Sequence, residues 1–137
     1  MELVPNLHFA GDCEEAIAVY EQAFDARRTV FLRYRDANPL DDAVASSDDR
    51  GDYVYHAEIV VGDRRMMLND DLRDIPRGMN VSVLILFDTV RAVERAYQLL
   101  KDRATIITPM TETTYSSSFV SLVDRFGIRW ELMTEQT

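Results

Sequence analysis

The second half of this chain repeats the first half at an offset of 76 residues. At that offset Asp12 falls on Asp88, and both are followed by apolar residues at the spacing of one helix face. The matched pairs are Ala16 and Ala92, Ile17 and Val93, Ala23 and Leu99, and Phe24 and Leu100. A repeat of this kind predicts two copies of one small structural unit.

Both halves show the order strand, helix, strand, strand, strand. The elements predicted for the first half are a strand at Leu3–Phe9, a helix at Cys13–Phe24, and strands at Thr29–Tyr34, Tyr53–Val61 and Arg64–Asn69. Asp12 and Glu15 have the spacing of a capping box at the helix start. The polar segment from Arg35 to Gly51 is predicted to be a long loop, either mobile or a lid.

The second half ends in a predicted β-hairpin, Ser118 to Met133, whose loop is closed by Gly127. Before it we expect a strand at Val81–Phe87, a helix capped by Asp88, and a short strand at Thr105–Thr108 stopped by Pro109. Glu131 is a single carboxylate in an otherwise apolar strand, where an unpaired charge is costly. It therefore needs a partner or a wet cavity.

The predicted fold is α+β, with two βαβββ modules in a single domain covering residues 1–137. Module one is residues 1–70, a linker is residues 71–79, and module two is residues 80–137. Each sheet must bury one face under its helix, and the opposite faces are expected to curl around a shared cup.

Composition excludes several classes of function. The net charge of −9 argues against binding to nucleic acid phosphates. With one cysteine, Cys13, the chain cannot form an internal disulfide, and it has no apolar run long enough to cross a membrane. A soluble cytoplasmic protein without nucleic acid or membrane partners is expected.

The chain resembles the vicinal-oxygen-chelate superfamily, which includes glyoxalase I, extradiol dioxygenases and bleomycin-resistance proteins, and is most similar to its PhnB-like branch. The residues that carry the resemblance are Pro5–Phe9, Gly11–Ala16, His56–Ile59, Gly62, Asn80–Ser82, Pro109–Met110, Glu112–Thr113, Phe119, Leu122, Asp124, Phe126–Gly127 and Trp130. Members of the superfamily commonly form dimers, so the resemblance implies a homodimer.

Enzymes of this superfamily bind a divalent metal through His and Glu side chains on the first and last strands of each module. The corresponding positions here are Pro5 or Asn6, Met67, Val81 or Ser82, and Glu131. Because only Glu131 is a suitable ligand, no metal and no other cofactor is expected. A methyltransferase is not supported either, since no glycine-rich nucleotide-binding turn follows a strand.

His56 and Glu58 lie two residues apart on a predicted strand and so share one face. Together with Glu131 they are the candidate catalytic residues, able in principle to hold a divalent metal or move a proton. The alternative is that His56 and Glu58 pair with each other or with arginines across the sheet. The arginines considered are Arg33, Arg35 and Arg129.

We interpret the chain as a metal-independent small-molecule binding protein of the bleomycin-resistance type, with an amphipathic or cationic ligand. The residues expected to line its cup are Met67, Asn69, Ser82, Tyr115, Phe119 and Glu131. One alternative is a metal-dependent lyase or dioxygenase with a rearranged site of His56, Glu58 and Glu131. Another is a dimeric scaffold without a ligand. Whether the protein is an enzyme stays open.

Overall fold

The computed structural model of this protein describes residues 1–41 and 49–135. The chain divides into two compact units, Met1–Pro76 and Arg77–Thr137, and the division falls within the predicted linker. Neither helix in the described residues has the length and apolar character that crossing a membrane requires.

Module one forms a four-stranded sheet and one helix. Its elements are β1 (Asn6–Phe9), α1 (Cys13–Ala23), β2 (Arg27–Arg33), β3 (Val54–Val61) and β4 (Arg64–Asp70). The strands lie in the order β1-β4-β3-β2, with β1 parallel to β4 and the other neighbours antiparallel.

Module two repeats this topology. Its elements are β5 (Val83–Leu86), α2 (Val90–Leu100), β6 (Thr105–Thr113), β7 (Ser116–Val123) and β8 (Arg129–Met133). The strand order is β5-β8-β7-β6, again with one parallel pair, β5 and β8. The predicted α+β fold of two βαβββ modules is therefore confirmed.

The start of α1 is stabilised differently from the prediction. Asp12 precedes the helix, but its side chain makes no capping hydrogen bond. Asp70, at the end of β4, accepts hydrogen bonds from the backbone N–H of Gly11 at 2.7 Å and Cys13 at 3.1 Å. Its second oxygen accepts from the N–H of Val54 at 2.8 Å. One buried carboxylate therefore joins the helix N-terminus to two strands.

Burial raises the pKa of Asp70, whereas the three donating N–H groups act in the opposite direction. Cys13 is fully buried beside this carboxylate. Burial, reinforced by the charge of Asp70, raises the pKa of the Cys13 thiol well above its usual range. The thiol is therefore an inert part of the core.

The start of α2 also departs from the prediction. The capping residue is Thr89 rather than Asp88, and its hydroxyl accepts a hydrogen bond from the N–H of Ala92 at 3.1 Å. The predicted apolar stripe is confirmed, because Val93, Ala96 and Leu100 are all buried.

Pro109 does not stop a strand as predicted, since β6 continues through it to Thr113. β6 lies at the edge of its sheet, and its pairing with β7 is irregular between Thr108 and Thr111. An edge strand with a local irregularity tolerates proline, because the missing N–H is not needed for a ladder hydrogen bond there.

The predicted hairpin near the C-terminus is confirmed as β7 and β8, with Gly127 at a positive φ of 93°. Asp124 organises its loop. One oxygen of Asp124 accepts from the N–H groups of Phe126 and Ile128, each at 3.0 Å, and the other accepts from Trp130 Nε1 at 2.8 Å. Trp130 is fully buried.

The predicted long loop begins with a short 3-10 turn at Tyr34–Asp36. Residues 42–48 lie outside the described residues, so the lid interpretation of this segment stays a prediction.

Candidate functional site

Each sheet has one face buried under its helix and one more open face. On the buried face of module one lie alternate residues such as Ala57, Ile59 and Leu68, all fully buried. The residues between them point to the opposite face. We call this second side the open face of each sheet.

His56 and Glu58 lie together on the open face of module one. His56 Nε2 is 2.8 Å from Glu58 Oε2, and Glu58 Oε1 is 3.1 Å from Arg65 Nη1. Arg65 in turn donates to both carboxylate oxygens of Glu2, at 3.1 and 3.0 Å. The hydrogen bond to His56, with help from Arg65, holds the pKa of Glu58 below its usual range. Glu58 is therefore a carboxylate at neutral pH.

The pairing of His56 with Glu58, which was the alternative to a metal-binding or proton-transfer role, is the arrangement seen, but the arginine that contacts Glu58 is Arg65 rather than Arg33 or Arg35. Those two arginines bind elsewhere, Arg33 to Glu14 and Arg35 to Asp52. The sequence feature that could have identified Arg65 is the Gly62-Asp63 turn, because it sets the register of the β3–β4 hairpin. It pairs Val60 with Arg65 and so sets Arg65 diagonally across from Glu58.

Met67 and Asn69 lie on the same open face, on β4. Met67 is the direct cross-strand neighbour of Glu58. Asn69 is the neighbour of His8 on β1, and its Nδ2 donates to Asp71 Oδ1 at 2.9 Å. Met67 and Asn69 are thus both in module one, whereas the other four predicted lining residues belong to module two.

Glu131 lies on the open face of module two, and its side chain is 24% exposed. Its neighbour on β5 is Leu84 and its neighbour on β7 is Ser121. Arg129 Nη2 is 3.8 Å from Glu131 Oε1, a separation too long for a direct hydrogen bond. The charge on Glu131 is therefore only weakly compensated by this arginine.

Two polar atoms close to Glu131 in this sheet are buried without a hydrogen-bond partner in the described residues: Ser121 Oγ and Arg129 Nε. Ser121 is only 2% exposed. Sequence reasoning did not select either atom as part of the site. Ser121 could have been identified from the sequence, because it alternates in phase with Phe119, which was predicted to line the cup.

Phe119 and Tyr115 form an aromatic pair near the start of β7. Their rings lie edge to face with centroids 6.1 Å apart. Phe119 is the cross-strand neighbour of Met133 and is buried, whereas Tyr115 is 58% exposed. Ser82 lies just before β5, outside the sheet.

The residues present do not fit the metal set of the superfamily. In module one the predicted positions Asn6 and Met67 are cross-strand neighbours, whereas in module two the neighbour of Glu131 is Leu84 rather than Val81 or Ser82. By the same register, Leu84 and Glu131 correspond to His8 and Asn69 in module one. Across residues 1–41 and 49–135, no group of three or more His, Cys, Asp or Glu side chains could hold a metal ion.

Residues 7–132 match the family model of the Glyoxalase/Bleomycin resistance protein/Dioxygenase superfamily. The chain belongs to this superfamily. The resemblance inferred from sequence is thus confirmed over nearly the whole chain.

The chain is similar to protein PA1353 from Pseudomonas aeruginosa, with 28% sequence identity and a TM-score of 0.85. The match covers 100% of this chain and 99% of that one. The PhnB protein from Bacillus cereus has 21% identity and a TM-score of 0.79, over 98% of this chain and 99% of that one; this likeness is one of fold alone. Protein YjdN from Escherichia coli K12 is 24% identical over 136 residues, which cover 95% of this chain and 92% of that protein.

Proposed function

We propose that this protein is a metal-independent small-molecule binding protein of the bleomycin-resistance type, and that its ligand is amphipathic. The observation that carries the proposal is the pair of buried, unpartnered atoms, Ser121 Oγ and Arg129 Nε, in the same sheet as Glu131. Both atoms are closed to solvent in the free protein, so a ligand that pairs with them must displace neighbouring side chains. In return it would recover the cost of about 1–3 kcal/mol that a buried polar atom without a partner carries.

The three polar groups differ in what they require. Arg129 Nε can only donate, the Glu131 carboxylate can only accept, and the Ser121 hydroxyl can do either. A ligand that satisfies all three carries an acceptor and a donor close together. An amide or a hydroxyl beside an amine has this chemistry, and a cationic donor would in addition compensate the charge of Glu131.

The surroundings of these groups favour an apolar body for the ligand. Leu84 and Leu86 are 44% and 52% exposed on β5, and Phe119 lies two residues from Ser121 on β7. Contact of the ligand with these side chains would remove apolar surface from water. The residues at the metal positions of the superfamily do not fit its metal set, which supports a role that needs no metal.

Calorimetry tests the proposal. Metal-free bleomycin is the first probe, because the superfamily includes bleomycin-resistance proteins. A panel of cationic and neutral amphipathic compounds follows. The binder found should lose roughly tenfold or more in affinity in Glu131→Gln, since hydrogen bonds to charged groups are the stronger ones. Glu94→Gln, an exposed position on α2, is the matched control and should bind like the wild type.

The metal-dependent alternative makes the opposite prediction. Metal-stripped protein would be titrated with nickel, zinc, manganese and iron(II), and the metal content of untagged protein measured by mass spectrometry. Stoichiometric tight binding that disappears in Glu131→Ala would overturn the proposal. So would a complete lack of binding across the panel, which would favour a scaffold without a ligand.

A further inference from the structure

We infer that residues Arg77–Met79, which we call the strap, form a movable cover over the guanidinium of Arg129, and that opening of the strap gives access to the buried Nε of that side chain. The inference rests on the proposed function for what enters, whereas the opening itself is a property of the ligand-free protein. The strap and Arg129 both belong to the second compact unit, Arg77–Thr137.

The first step is the state of the Arg129 guanidinium. Its Nη1 donates a hydrogen bond to the backbone carbonyl of Met79. Its Nε is buried without a hydrogen-bond partner among the described residues, although the side chain as a whole is 26% exposed. A guanidinium is planar and rigid, so its nitrogen atoms move together. Loss of the contact between Nη1 and the strap would therefore also change the surroundings of Nε.

The second step is that the strap is weakly held. In the part of the chain that the structure describes, the strap makes one hydrogen bond, the one that it accepts from Arg129. Its other contact is packing, because Arg77 lies so close to the β7–β8 loop that a Cβ at Gly127 would be 2.6 Å from Arg77 Nε. All three strap residues are exposed. A segment with so few contacts opens at a low cost in free energy.

The third step is that the strap contains a flexible residue, Gly78, which the closed arrangement does not require. A Cβ at Gly78 would meet only Asn80 Oδ1 within 4 Å, at an ordinary contact distance of 3.5 Å. The glycines with positive φ are Gly11, Gly62 and Gly127, so the φ of Gly78 is accessible to other residues. Glycine has the least restricted backbone of all residues. Gly78 therefore contributes freedom of movement rather than a special conformation.

The fourth step is what opening offers to a ligand. With Met79 withdrawn, Nε and Nη1 of Arg129 are both donors without an acceptor, and Nη2 lies 3.8 Å from Glu131 Oε1. A carbonyl or carboxylate oxygen of the ligand would replace the acceptor that the strap supplied. The strap and the ligand would thus compete for the same guanidinium.

Hydrogen exchange of the Arg129 Nε–H in the ligand-free protein tests the opening. Nitrogen-15 NMR at mildly acidic pH follows the arginine Nε–H signals, and Arg129→Lys assigns the signal of Arg129. We expect this proton to exchange faster than the buried backbone N–H groups of the central strand β8, which exchange when module two unfolds. We expect it to exchange more slowly than the Nε–H of Arg64, whose side chain is 85% exposed.

Two variants should change the exchange rate in opposite directions. Arg77→Ala removes the packing against Gly127 and should raise the rate about three- to tenfold. Gly78→Ala restricts the open strap more than the closed one and should lower the rate about two- to fivefold. Arg73→Ala, which removes an exposed arginine from the same linker, is the matched control and should leave the rate unchanged. Circular dichroism confirms that each variant is folded.

Exchange as slow as that of the β8 backbone would show that Nε is reached only by unfolding, and exchange as fast as that of Arg64 would show that nothing covers it. Either result overturns the inference, as does an exchange rate that neither Arg77→Ala nor Gly78→Ala alters.

The ligand experiments separate this inference from the proposed function. Once calorimetry has identified a binder, its association rate measured by stopped flow should rise in Arg77→Ala and fall in Gly78→Ala. An equal association rate in the two variants would show that the strap does not control entry, and the inference would fail while the proposed function stands. If exchange shows the expected opening and no compound binds, only the proposed function fails.

Discussion

The two modules share a topology but use their open faces differently. Leu7 and Val83 are 76 residues apart, and each begins a row across its sheet: Leu7, Leu68 and Ala57 in module one, and Val83, Trp130 and Leu122 in module two. The open-face positions next to these rows are therefore equivalent. The equivalent residues of the two modules are His8 and Leu84, Asn69 and Glu131, and His56 and Ser121.

This equivalence shows how one duplicated unit has diverged in polarity. At the His56 position, module one has a ring whose Nε2 is bound by its own network. At the same position module two has Ser121, whose hydroxyl is buried without a partner in the described residues. Module one supplies its own hydrogen bonds and leaves one exposed acceptor, whereas module two leaves Ser121 Oγ and Arg129 Nε buried without a partner in the described residues.

The two modules also differ in how the N-terminus of the helix is capped. The N-terminus of α1 depends on Asp70, which is distant in sequence, and the N-terminus of α2 depends on Thr89, which is adjacent. At the position equivalent to Asp70, module two has the buried apolar residue Leu132. A helix without a carboxylate beneath its first turn needs a local cap.

The largest expected effect is from Asp70→Ala, which leaves three backbone N–H groups without their acceptor. We expect the free energy of unfolding to fall by about 3 kcal/mol or more, since buried donors left unpaired each carry a penalty. Thr89→Ala, the matched change in module two, should cost about 1 kcal/mol. Urea denaturation measures both, and equal losses would contradict the contrast between a distant and a local cap.

The second effect contrasts two hairpin loops. Asp124 accepts three hydrogen bonds in the β7–β8 loop, whereas Asp63 in the β3–β4 turn is 93% exposed. Asp124→Ala should lower the free energy of unfolding by about 2 kcal/mol and alter the fluorescence of Trp130. Asp63→Ala should change it by less than about 0.5 kcal/mol. A fluorescence spectrum unchanged in Asp124→Ala would show that Asp124 does not position the indole.

The fold could be predicted from the sequence because the patterns that indicate its helices and strands are local and occur in both halves of the chain. Helix stripes, strand alternation and the Gly127 turn each depend on neighbouring residues, so α1, α2 and the last hairpin were predicted to within a few residues. The cap of α2 was displaced by only one residue, from Asp88 to Thr89, whereas the cap of α1 was mispredicted because its acceptor is Asp70, far along the chain. No local pattern identifies such a partner.

The candidate site was predicted only in part, for a related reason. The common face of His56 and Glu58 follows from their spacing of two residues, but the pairing with Arg65 depends on the register of a hairpin. The importance of Ser121 is harder to predict still. A serine in a strand gives no indication that its hydroxyl is buried and unpartnered until the strands around it are in place.

Ser121 therefore gives the third test, in which stability and binding should change in opposite directions. Ser121→Ala removes an unsatisfied buried hydroxyl, so the free protein should be unchanged or more stable by up to about 1 kcal/mol. The affinity of whichever ligand the calorimetric screen identifies should fall severalfold. Ser117→Ala, on the same strand, removes a hydroxyl that is bonded to Thr134, and it should not stabilise the protein. A marked loss of stability in Ser121→Ala would show that the hydroxyl already has a partner.

The smallest effect concerns the pH dependence of module one. The pKa of Glu58 is lowered in the folded protein, chiefly by the hydrogen bond to His56. A carboxyl group with a lowered folded pKa contributes stability above its ordinary value of 4.5, and this contribution is lost as pH falls through the folded pKa. Wild type should therefore be more stable than Glu58→Gln at neutral pH, and the two thermal denaturation curves should converge at acidic pH. Because Glu58 is paired near the surface, high salt should narrow the difference as well. Curves that stay separated in acid would show that the amide disturbs packing rather than charge, and the network would then position His56 by shape alone.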